Sequence, residues 1–70
     1  MTISDQDRAI LDFANLQFRH VRVERAEIRR RFGWTRTYYF QRLSLLIDTH
    51  AGQRYAPLTC DRYRQLRLRE

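Results

Sequence analysis

Lysine is absent from this chain, cysteine and proline each occur once, and glycine occurs twice among 70 residues. The lone Cys60 excludes an intramolecular disulfide. A secreted domain of this size without a disulfide framework would be hard to stabilise, so the chain is expected in a reducing cytoplasm. Gly and Pro are too sparse for the turns that a fold of short strands requires. No apolar run approaches the roughly 20 residues that cross a bilayer. Met1 to Arg8 is polar and acidic and lacks the basic start and apolar stretch of a signal peptide, which agrees with the cytoplasmic expectation, and without a spanning run no membrane partner is expected. His20, His50 and Cys60 lack metal-ligand spacing, and there is no Gly-rich phosphate loop or nucleophile motif. His50 and Cys60 come nearest to a base and nucleophile, but two such residues in a loop-rich region are usually incidental. The reading is of a non-catalytic protein with no cofactor and no metal.

What is present is a core-forming composition. Apolar residues make up 43% of the chain and aromatics 13%, which is too rich for disorder. A chain this short buries only roughly 60% of the surface its unfolded form exposes, so residues 1–70 form one domain with a small core. All 14 basic residues are Arg, and the formal net charge is +6. Arg-only usage is what a GC-rich genome imposes through its codons. The sign of the charge is a separate matter, because excess cations on a small body attract polyanions. Nucleic acid is the first partner class, and acidic protein the second.

Hydrophobic spacing predicts an all-α fold, a small bundle of three to four helices. Ser4 can cap a first helix with Asp5 and Asp7 in its first turn, and Ile10, Phe13 and Ala14 carry it to about Arg19. Val21 and Val23 interrupt the good helix formers, which predicts a connector over His20 to Val23. A second helix runs over Glu24–Phe32 with Ile28 and Phe32 on one face, and Gly33 ends it. Thr35 can cap a third helix reaching about Thr49, with Tyr39, Leu43, Leu46 and Ile47 as its apolar stripe. His50 to Ala56, containing Gly52, reads as a loop. Pro57 opens a basic fourth helix over about 57–69.

Two short helices joined by a tight turn containing Gly form a helix-turn-helix, here about residues 24–49, whose second helix offers its N-terminal half to the DNA major groove. Trp34 would plug the space between the two helices. Thr35, Arg36, Thr37, Phe40 and Gln41 would then contact bases. Arg suits guanine O6 and N7, Gln suits adenine N6 and N7, Thr suits phosphate or base edges, and an aromatic ring suits a thymine methyl. Arg29, Arg30, Arg31 and Arg42 would meet phosphates.

Each element also has a plainer explanation. A Gly between amphipathic helices occurs in many bundles, and an Arg run is more often a solvated face than a phosphate clamp. Phe40 can belong to the core, and Tyr38 and Tyr39 to packing. The turn, the caps, the basic excess and a polar outer face nevertheless agree. The rival reading is a protein-interaction module that binds RNA polymerase, a sigma factor or another regulator, with Tyr38, Phe40 and Leu45 as contacts. Joint exposure of Tyr38 and Phe40 would favour it. Membrane binding by the last helix is disfavoured, because Leu58, Leu66 and Leu68 give only a thin stripe without a Trp or Phe anchor.

The segments Ile10-Leu11-Asp12-Phe13, Ile28-Arg29, Phe32-Gly33, Leu46-Ile47-Asp48 and Pro57-Leu58, with Phe18, Thr37, Tyr39, Gln41 and Leu43, carry a resemblance that extends over most of the chain without gaps. In these residues the sequence resembles a family of short actinobacterial and actinophage proteins defined by a domain of unknown function. The resemblance implies that origin and a helix-turn-helix-like fold, and it implies no activity. The chain departs from the family pattern at Gln17, Tyr38 and Arg42. Taken together, the residues predict a binder of double-stranded DNA, a transcriptional regulator or phage control protein that acts as a homodimer or with a transcription-machinery partner.

Overall fold

Ser4 begins the first element as its sequence suggests. Its hydroxyl oxygen accepts the Asp7 N–H at 3.1 Å, with Asp5 and Asp7 in the positive first turn of α1 (Asp5–Ala14). The structure, a computed structural model, describes residues 3–68. Four further helices follow: α2 (Val21–Phe32), α3 (Arg36–Leu46), α4 (His50–Tyr55) and α5 (Pro57–Leu68). The protein is all-α, and no strand occurs among the described residues.

Three element boundaries differ from the sequence expectation. α1 stops at Ala14, short of Arg19, where the Asn15 N–H bonds to the Asp12 carbonyl and the Leu16 N–H to the Phe13 carbonyl. Leaving the helix lets the Phe18 ring fold back and stack on Phe13 at 5.3 Å, whereas five residues on in a continued helix it would point to another face. The connector is therefore Asn15 to His20, and the predicted connector over His20 to Val23 is instead the start of α2. The N–H groups of Val23 and Glu24 both bond to the His20 carbonyl. The helix penalty of two valines is only a few tenths of a kcal/mol each, which packing overrides.

The third difference is α4, which occupies the stretch read as a loop, so α3 ends at Leu46, short of the expected Thr49, and the described residues form five helices instead of three to four. Thr49 caps α4 by accepting the Gly52 N–H at 3.0 Å while donating to the Leu46 carbonyl at 2.8 Å. Gly52 is buried, and a Cβ there would collide with the Leu46 carbonyl oxygen, so the glycine is present for close approach. Pro57 opens α5 in the first turn, where a missing N–H costs nothing. Arg69, placed by the sequence reading at the end of that helix, lies outside the described residues.

Gly33 behaves as its position suggests. It adopts φ 72°, the left-handed conformation, and its N–H returns to the Arg29 carbonyl at 2.9 Å. Trp34 then stacks on Phe32 at 4.9 Å, and Thr35 caps α3 by accepting the Tyr38 N–H at 3.1 Å.

The core joins Ile10, Leu11, Phe13 and Ala14 of α1 to Ile28 of α2, Tyr39, Leu43 and Leu46 of α3, and Cys60 of α5. α3 is central, packing against α1, α2 and α4, while α5 packs on α4. Tyr39 lies at the middle of it, its ring 5.2 Å from Phe13, 5.6 Å from Phe32 and 5.0 Å from Phe40. Its hydroxyl donates to the Ile10 carbonyl at 2.8 Å, tying α3 to α1. α5 also closes the end of α1, because Arg62 and Tyr63 donate to the Ala14 carbonyl at 3.1 and 3.4 Å, and the Thr59 hydroxyl donates to the Asn15 side chain.

Candidate functional site

With Tyr39, Leu43 and Leu46 buried, a helix turning roughly 100° per residue must send Thr37, Gln41 and Leu45 to the opposite side. All three are exposed, with Tyr38 exposed beside them. This outer face of α3 is mixed, polar at Thr37 and Gln41 and apolar at Leu45, which is 69% exposed.

The other expected base-contacting residues sit differently. Thr35 commits its oxygen to the helix cap and keeps a hydroxyl hydrogen to donate. Arg36 lies on the flank of α3 facing α2. Its Nε donates to Glu24 Oε1 at 2.6 Å, and its guanidinium lies 4.7 Å from the centre of the Phe40 ring. The pair bridges α2 and α3, so Arg36 helps hold the two helices together. Phe40 is half-buried against the core and faces a groove toward Tyr63 and Leu66 of α5. Tyr38 instead sets its ring edge-on to Trp34 at 4.9 Å, so Tyr38 and Phe40 share no exposed patch.

The expected phosphate-contacting residues separate just as clearly. Arg30 and Arg31 both reach Glu27, at 2.7 and 3.2 Å, and Arg31 also lies over the Phe13 ring. Arg30 chiefly, with Arg31 assisting, holds the Glu27 carboxyl below its ordinary range. Arg42 leans toward α1, 3.8 Å from Asp7, on the flank away from Arg36. Of these four, Arg29 alone makes no ion pair among the described residues.

Arg29 has company that sequence reasoning missed. With α2 beginning at Val21, Arg22, Arg25 and Arg29 fall at i, i+3 and i+7 on one face, each exposed and each without an ion pair among the described residues. They line a surface hollow together with Trp34, Thr35 and Thr37 at the start of α3. The spacing was visible in the sequence, but assigning Val21 to Val23 to a connector removed Arg22 from the helix and hid the stripe. The candidate site is therefore a cationic face of α2 adjoining the polar N-terminal half of α3.

The sequence pattern that defines DUF3263, described as a protein of unknown function, matches residues 2–70. The chain belongs to the DUF3263 family. Comparison with curated proteins and with solved structures gave no match.

No group of three or more His, Cys, Asp or Glu among the described residues could hold a metal ion. Cys60 is buried, and burial pushes its thiol up from the ordinary range, while His50 is exposed at the start of α4. No described helix is long and apolar enough to cross a membrane.

Proposed function

We propose that this protein is a small, non-catalytic binder of double-stranded DNA acting in the cytoplasm as a transcriptional regulator or phage control protein, with α2, the Gly33 turn and α3 serving as a helix-turn-helix. One observation carries the reading. α3 exposes Thr37 and Gln41 on the side away from Tyr39, and Thr37 lines the hollow together with Arg22, Arg25 and Arg29, which make no ion pair among the described residues. Side chains able to read base edges thus adjoin cations able to neutralise phosphates. Thr37 and Gln41 are the central base contacts in this reading. Thr35 contacts from the cap, and Arg36 and Phe40 contact from the flank while holding α3 in place. A single unit this small buries little DNA, so sequence preference calls for a second copy on a half-site about one DNA turn away.

The test is selection from mixed genomic DNA fragments by the purified protein across a salt series, followed by sequencing of the bound fraction. The reading expects an enriched motif, and Gln41→Ala is expected to lose about 1–3 kcal/mol on it and relax one position. Absence of binding at low salt would refute the reading. A protein partner would then be favoured, because Tyr38 and Leu45 are exposed, 43% and 69%, on the same face of α3.

A further inference from the structure

The net positive charge of this molecule is not spread evenly. Glu27 engages Arg30 and Arg31, Glu24 engages Arg36, Asp7 engages Arg42 and Asp48 engages Arg67. Around α2 the charges are divided by face. Glu27, Arg30 and Arg31 make a local network, while Arg22, Arg25 and Arg29 stand together and make no ion pair among the described residues. Like charges three and four residues apart on a helix repel and destabilise it. A fold that keeps such a stripe beside a hollow holds a surface relieved by an anion from outside.

We propose that Arg22, Arg25 and Arg29 form a clamp for phosphates along one DNA strand, placed to seat the start of α3, and that the acid-paired Arg30, Arg31 and Arg42 contribute little to it. The proposal rests on the DNA reading above and specifies which cations meet the backbone. A guanidinium presents a planar fork that matches two phosphate oxygens, which suits a row of arginines to successive phosphodiesters. Along the helix the three residues rise by about 4.5 and then about 6 Å, so their long side chains can fan along a strand. The hollow they line also contains Thr35 and Thr37, where the positive end of the α3 dipole adds to the attraction. The residues that would read bases and those that would grip the strand are thus neighbours across the Gly33 turn.

The experiment measures affinity for a 24-base-pair mixed-sequence duplex by fluorescence anisotropy between about 50 and 200 mM salt. The wild-type protein is compared with R22Q/R25Q/R29Q and with R30Q/R31Q. Each phosphate contact adds about 0.9 to the slope of log affinity against log salt, so the triple variant should lose about 2.7 and the double variant far less. The triple variant should also melt no lower than wild type, since the repulsion is removed. Arg25→Gln alone, expected to lose about 0.9 of slope, keeps the test open should the triple variant fail to fold. Wild-type binding with an unchanged slope in the triple variant would overturn the clamp and leave the DNA reading standing. Equal losses from the triple and double variants would also overturn it, showing a diffuse field. Failure of the wild-type protein to bind duplex at low salt would refute both.

Discussion

The Tyr39 phenol joins packing and polarity in one side chain. Its ring meets Phe13, Phe32 and Phe40, and its hydroxyl donates to the Ile10 carbonyl across the core. Burial pushes its ionisation well above the ordinary tyrosine range. The folded state therefore favours the protonated phenol. That contribution is fully present below about pH 10 and is lost as pH rises beyond the point where the unfolded tyrosine ionises. Tyr39→Phe should cost about 0.5–1.5 kcal/mol at neutral pH, or several degrees in melting temperature. It should also blunt the loss of stability above about pH 10, which a series of melts in alkaline buffers would read. An equally steep alkaline loss in the variant would remove Tyr39 from that role. Tyr39 was legible as a core residue from its spacing with Leu43 and Leu46. The partner of its hydroxyl was not, because Ile10 lies on another helix.

At the scale of elements, the two glycines make opposite demands and predict opposite lessons. Gly33 sits at φ 72° in open space, so Gly33→Ala should cost about 1–2 kcal/mol from backbone strain alone. Gly52 lies inside α4, where helix propensity by itself would make Ala better by about 1 kcal/mol. A Cβ there would instead strike the Leu46 carbonyl and lie 2.9 Å from Thr49 Oγ1, so Gly52→Ala should destabilise by about 1–3 kcal/mol. Thermal melts of the two variants decide this, and a stabilised Gly52→Ala protein would show that α3 and α4 do not meet so closely. The same contrast explains what the sequence revealed. The Gly33 turn, the Ser4 and Thr35 caps and the Pro57 start were readable because each rests on local backbone chemistry. The helical state of Gly52 depends on an approach between helices, and the early start of α2 depends on packing that outweighs the propensity of Val21 and Val23. The candidate site followed suit. Thr37 and Gln41 fell on the expected face, while the pairing of Arg36 with Glu24 and of Arg42 with Asp7 is tertiary and could not be seen in spacing.

The described residues form a flat body with backbone extents of 32 × 29 × 17 Å, so their arginines have almost nowhere to be but the surface. Ion pairs around that body make its stability sensitive to acid. Asp48 receives two bonds from Arg67, at 2.8 and 3.1 Å, which ties α5 to the end of α3. Arg67 holds the Asp48 carboxyl below its ordinary range, as Arg30 holds that of Glu27. A depressed carboxylate contributes stability above its ordinary range and loses it as pH falls through its folded value, so the melting temperature should fall below about pH 4. Asp48→Asn should melt lower than wild type at pH 7, show a shallower acid decline and meet the wild-type curve near about pH 2. Parallel curves for the two proteins would mean that the Arg67 pair does not contribute.

The closure of α1 by α5 sets an order of events in synthesis. The Ala14 carbonyl is capped by Arg62, a residue made 48 positions later, which at ribosomal speed is a delay of about 2–10 s. Helical bundles of this kind fold in microseconds to milliseconds, so folding is held back by translation. Until α5 emerges, the end of the first helix stays open and Cys60 is not yet in the core it completes. Through this interval the nascent chain lacks the side of its core that α5 covers with Cys60 and Tyr63.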